Sequence, residues 1–88
     1  MRNRYSSTEG TIFDVYEDEA ARLYLVVLCQ GIAWTRIGVI LTPDEVELFR
    51  VSAGSLAGLA RDLCRDFASY KNREIPEAIR RQIMDLDG

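Results

Sequence analysis

The sequence predicts an α+β fold: a three-stranded antiparallel β-meander followed by two or three helices packed on one face. Three observations carry this reading. Apolar residues alternate with period two through the first half of the chain, the mark of strands. In the second half they recur at the i, i+3, i+4 spacing of helical stripes. A sharp helix-start signal at residues 42–45 separates the two regimes. Strands first and helices after is the order of α+β folds rather than of βαβ units. With 88 residues there is room for one hydrophobic core. Residues 11–88 are therefore read as a single α+β domain behind a polar N-terminal lead-in, residues 1–10.

The first expected strand runs from Thr11 to Glu17, with Phe13 and Val15 on one side and Ile12, Asp14 and Tyr16 on the other. The acidic run Glu17-Asp18-Glu19 follows as a solvated hairpin loop. Arg22 to Gln30 is rich in β-branched and aromatic residues and forms the second strand. Gln30-Gly31 supplies turn chemistry, because glycine accepts the positive φ of a tight reversal. Ala33 to Leu41 completes the meander.

Thr42-Pro43-Asp44-Glu45 has the form of a capping box. The Thr42 hydroxyl can accept from the Glu45 N–H while the Glu45 carboxylate reaches back to the Thr42 N–H. Pro43 occupies the first helical position, where its missing N–H costs nothing. A short helix is expected from Pro43 to about Arg50, with Val46 and Phe49 inward. After the break at residues 51–55, Leu56, Leu59, Ala60, Leu63, Cys64 and Phe67 define one face of a longer helix reaching about Ser69. Residues 70–74 read as a loop. Pro76 opens a last helix carrying Ile79, Ile83 and Leu86 on one side.

Composition excludes several functions. Eleven basic residues against fourteen acidic ones give a net charge of −3, the wrong sign for a general nucleic-acid binder. Histidine is absent, which removes the commonest general base and zinc ligand. No spacing of acids suits a calcium loop, and Gly54-Ser55-Leu56-Ala57-Gly58 lacks the Gly-Lys-Ser/Thr ending of a phosphate loop. No catalytic residue, metal or cofactor is expected. The longest near-continuous apolar run, Leu23 to Cys29, is too short to span a membrane. The polar first ten residues carry no apolar signal-peptide core, so a cytoplasmic setting is expected. Cys29 and Cys64 are accordingly read as reduced, buried core thiols. Ten of the eleven basic residues are Arg, a bias that suits a GC-rich bacterial genome.

Strand parity places Leu23, Leu25, Val27 and Cys29, with Phe13, Val15, Ile37, Val39 and Leu41, on the helix-covered face of the sheet. The opposite face then carries Ile12, Tyr16, Tyr24, Val26, Leu28, Trp34, Arg36 and Ile40. A solvated face of an antiparallel sheet is normally polar; this one is apolar and aromatic with an Arg among the rings, the composition of an interface. Either a terminal segment folds over it or it meets another protein. The second reading makes Tyr16, Tyr24, Val26, Leu28, Trp34 and Arg36 the protein-binding residues, with Asp14 and Asp18 beside them.

The meander, the helix entry Leu41-Thr42-Pro43-Asp44-Glu45-Val46, the stripe Leu56/Leu59/Ala60/Leu63 and the segment Tyr70-Lys71-Asn72-Arg73 together resemble small bacterial immunity proteins. That resemblance implies a short, acidic, non-catalytic cytoplasmic protein whose partner is a cognate secreted toxin. Inhibition would be steric and electrostatic, with Trp34, Tyr24 and Tyr16 as anchors and Asp14 and Asp18 facing basic groups of the toxin. The alternative is a structural or accessory homodimer that associates through the same face.

Overall fold

The computed structural model describes residues 1–8, 10–29 and 35–87. Four strands form one antiparallel sheet in sequential order: β1 (Arg2–Ser7), β2 (Ile12–Glu17), β3 (Leu23–Cys29) and β4 (Thr35–Ile40). They are followed by α1 (Pro43–Val51), a 3₁₀ turn (Ala53–Leu56), α2 (Ala57–Arg65), a 3₁₀ segment (Phe67–Arg73) and α3 (Glu77–Asp87). The fold is α+β as expected, with two corrections to its layout.

The first is an extra strand. Residues 2–7, expected as lead-in, pair antiparallel with β2, with an irregularity between Asn3 and Tyr5. The strand is anchored by the half-buried Tyr5, whose ring lies 5.7 Å from that of Phe13. The remaining side chains are polar, which also protects the edge from pairing with other chains. Arg2 and Arg4 both reach the Glu17 carboxylate, at 2.7 and 2.8 Å, and hold its pKa below the ordinary value.

The second correction concerns the helices, which lie on both faces. The first face follows the parity reading: Phe13 pairs with Val27, and Val15 with Leu25, which pairs in turn with Val39. These residues bury against Leu56, Ala60 and Leu63. Val46, Phe49 and Leu59 are half-buried on the same core. On the second face Tyr16, Tyr24 and Val26 form another core, with Ile75 and with Ile83 of α3.

The capping box is formed. Glu45 N–H donates to Thr42 Oγ1 at 3.3 Å, and Thr42 N–H donates to Glu45 Oε1 at 2.9 Å. Arg73 joins this corner, donating to the Ile40 carbonyl and pairing with Glu45. Thr42→Ala is expected to cost about 1 kcal/mol through the lost cap; an unchanged denaturation midpoint would show that the box contributes nothing.

The long second helix stops earlier than its apolar stripe suggests. The backbone breaks at Asp66 (φ −148, ψ 66), whose carboxylate accepts from the Ser69 hydroxyl at 2.6 Å. This local Asp–Ser contact competes with helix continuation, and the chain proceeds through the 3₁₀ segment to Glu74. There the Ile75 N–H donates to the Gly38 carbonyl at 3.1 Å, and Glu74 bridges Val39. Gly38 permits the close approach, since a Cβ at that position would collide with the Ile75 side chain.

The cysteines are also reassigned. Cys29 ends β3 and Cys64 lies on α2, with Cα atoms 5.4 Å apart, and the two are joined in a disulfide. Their proximity follows from the packing of Cys29 against the first-face core, to which α2 contributes Ala60 and Leu63. Cys64, at the rim of its stripe, is exposed, so it is not the buried thiol expected from the sequence. Among the described residues, no helix is long and apolar enough to cross a membrane.

Candidate protein-binding surface

The structure divides the eight expected binding residues. Tyr16 and Tyr24 are each 1% exposed and Val26 is 8% exposed. They are covered by Ile75, Ile79 and Ile83, with Met1 and Ile40 at the margin. These three cannot serve as an open interface. The covering signal was present in the sequence: isoleucines at 75, 79 and 83 form an apolar stripe, which needs a second surface once α1 and α2 fill the first.

Asp18 is occupied inside its own hairpin. One carboxylate oxygen accepts the Ala20 and Arg22 N–H groups, each at 2.9 Å, and the other accepts the Tyr24 hydroxyl at 2.6 Å. These bonds shape a turn in which Ala21 takes a positive φ of 65°. The Tyr24 hydroxyl lowers the pKa of Asp18 most, ahead of the two backbone donors. Burial, reinforced by the Asp18 carboxylate, pushes the Tyr24 phenol up to about 12.

The pH dependence follows from these directions. Tyr24 has a raised pKa, so its contribution is complete below its ordinary value of 10.0 and is lost as pH rises through about 12. Asp18 has a lowered pKa, so its contribution is present above the ordinary carboxylate range and is lost as pH falls through its folded value. Denaturation midpoints recorded against pH should show both losses, and Tyr24→Phe should flatten the alkaline one. An identical alkaline profile in that variant would detach the stability loss from Tyr24.

Three expected residues, Asp14, Leu28 and Arg36, remain at least partly accessible on the half of the second face that α3 leaves open. Ile12, Leu28 and Arg36 lie in one register row across β2, β3 and β4. Asp14 stands in the next row beside Val26, accepts the Ser6 hydroxyl and faces Arg36 at 4.0 Å. Ile12 and Leu28 are half-buried, and the Arg36 side chain is 41% exposed. Trp34, the expected anchor, and the Gln30-Gly31 turn lie outside the described residues.

Between this open half and α3 runs a groove of about 350 Å³. Val26, Ile75 and Ile83 give it aliphatic walls; Ile37 also borders it, though its side chain packs on the first-face core. Arg36, from β4, and Arg80 and Met84, from α3, also line it. Met84 is 62% exposed. Sequence reasoning missed the groove because its lining comes from β3, β4 and α3, elements far apart in the chain that no local pattern brings together. Among the described residues, no group of three or more acids or cysteines is placed to hold a metal ion. Comparison with family models, with curated proteins and with solved structures found no match.

Proposed function

We propose that the chain is a non-catalytic protein-binding domain, acting as an immunity protein that occludes a cognate bacterial toxin. The observation that supports this most directly is the mixed patch on the open half of the second face. There the half-buried pair Ile12 and Leu28 lies next to Arg36 and Asp14. Apolar contacts flanked by an Arg are the composition of interface centres. Trp34 is retained in the proposed surface on its residue type alone. Tyr16, Tyr24, Val26 and Asp18 are withdrawn from it, because the fold already uses them.

The expected cytoplasmic setting and the Cys29–Cys64 bond pull in opposite directions, since disulfides persist chiefly in oxidising compartments. We take the bond as the stronger ground and place the binding event in an oxidising compartment.

The test is co-expression with the product of the neighbouring reading frame, scored by growth and by titration of the purified pair. Protection and association are expected. Arg36→Glu should weaken association by about thirtyfold or more, as loss of a hot-spot residue does. Growth inhibition that the protein does not relieve would sink the proposal. Sedimentation of the protein alone separates the competing reading, in which two copies pair through the same patch: a dimer dissociated by Arg36→Glu would replace the toxin with a second copy.

A further inference from the structure

The two ends of the Cys29–Cys64 bond are unequally shielded. Cys29 is half-buried and packs against the first-face core, whereas Cys64 is exposed on α2. A cavity of about 230 Å³ opens at the Cys64 end, where the start of β2, the end of β3 and α2 meet. Gly10, Thr11, Ile12, Leu28, Arg61 and Cys64 line it, and Cys29 does not. A nucleophile entering this cavity therefore meets Cys64 first.

Charge selects among nucleophiles. Arg61, three residues before Cys64 on the same helix, is exposed and makes no ion pair with another described residue. No carboxylate of a described residue lines the cavity. A disulfide is opened by a thiolate, so a cation beside the attacked sulfur draws in the reactive form of the reagent. The same guanidinium matches a carboxylate with two parallel hydrogen bonds.

We infer that Cys64 is a site of mixed-disulfide formation with small thiols that carry a carboxylate, which Arg61 holds. The thiolate attacks Cys64 Sγ; a new S–S bond forms as the Cys29–Cys64 bond breaks. The electron pair of the broken bond leaves on Cys29 Sγ, which takes a proton from water. A second thiolate attacks the sulfur that the first one brought, releasing the reagent's own disulfide and Cys64 as a thiolate that is then protonated. The protein bond gains two electrons and two protons, and two reagent thiols become one disulfide. The assignment is independent of any protein partner and is tested on the isolated protein.

The native protein is incubated with reduced glutathione, a tripeptide thiol with two carboxylates, and quenched at intervals with N-ethylmaleimide for peptide mass mapping. Glutathione is expected on Cys64 and maleimide on Cys29, at a rate proportional to thiolate concentration. 2-Mercaptoethanol, which has no carboxylate, is the comparison at matched thiolate concentration. Arg61→Gln should slow exchange with glutathione about threefold and leave that with 2-mercaptoethanol nearly unchanged. Arg61→Lys should restore the glutathione rate, and thermal melts without thiol show that both variants are folded. Three results would overturn the assignment. One is glutathione trapped chiefly on Cys29, or on neither cysteine at any interval. Another is a rate that stops rising with thiol concentration, which would mean that unfolding must come first. The third is a folded Arg61→Gln variant that slows both thiols alike, or neither.

Discussion

Reduction of the Cys29–Cys64 bond is expected to lower the melting temperature by roughly 15–30 °C. The bond closes a segment with a sequence separation of 35. Chain-entropy reasoning assigns such a loop about 4 kcal/mol of destabilisation of the unfolded state. A domain of 88 residues has a total stability of roughly 4–13 kcal/mol, so the bond supplies a third or more of it. For a chain of this size each kcal/mol moves the melting temperature by about 4–8 °C. The check is a pair of thermal melts with and without a dithiol reductant, alongside the double variant Cys29→Ala/Cys64→Ala. No thiol should react with a labelling reagent before reduction. Melts that coincide, or two thiols titratable in the untreated native protein, would show that the bond is not formed.

Replacement of Ile83 by Ala is expected to cost about 3 kcal/mol, within the range for large-to-small changes in cores. Ile83 is 3% exposed and shares its cluster with Tyr16, Tyr24, Val26 and Ile75. Apolar burial is the main attachment of α3: the ion pairs described for it join Arg81 to Glu77 and Arg80 to Glu74, not to the sheet. The loss should therefore appear first as faster amide exchange in α3, before the first-face core is affected. A stability change within about 0.5 kcal/mol, the size of an ordinary surface substitution, would mean that α3 does not hold the second face.

The legible part of the fold is the part with local periodicity. Phe13 and Val15 against Leu25 and Val27, and the stripe of Leu56, Ala60 and Leu63, are fixed by spacing alone, and the structure buries them together. The Thr42–Glu45 box is written in four consecutive residues and forms as written. What escaped the sequence is non-local or rests on single residues. β1 has one apolar anchor, Tyr5, too sparse a pattern to reveal a strand. The placement of α3 depends on which face remains uncovered after two other helices have docked, and the Ile75–Ile79–Ile83 stripe fits either face. The roles of Asp18 and Tyr24 depend on one hydrogen bond across a hairpin, which composition cannot distinguish from a solvated acid and an interface ring. The Cys29–Cys64 pairing depends on where two elements meet, and a separation of 35 leaves that open.

The sequential strand order has a consequence for how the chain reaches its native state. Each strand pairs with its neighbour in sequence, so the meander can close through short loops that cost little entropy. The second face is different, because Ile75 and Ile83 must find Tyr16, Tyr24 and Val26 from the far end of the chain. Local pairing is therefore expected to precede the seating of α3, leaving the two tyrosines and Val26 facing water in that interval. On a ribosome the interval lengthens, since the C-terminal residues emerge last. The segment most exposed to misassociation during synthesis is thus one that the folded protein buries.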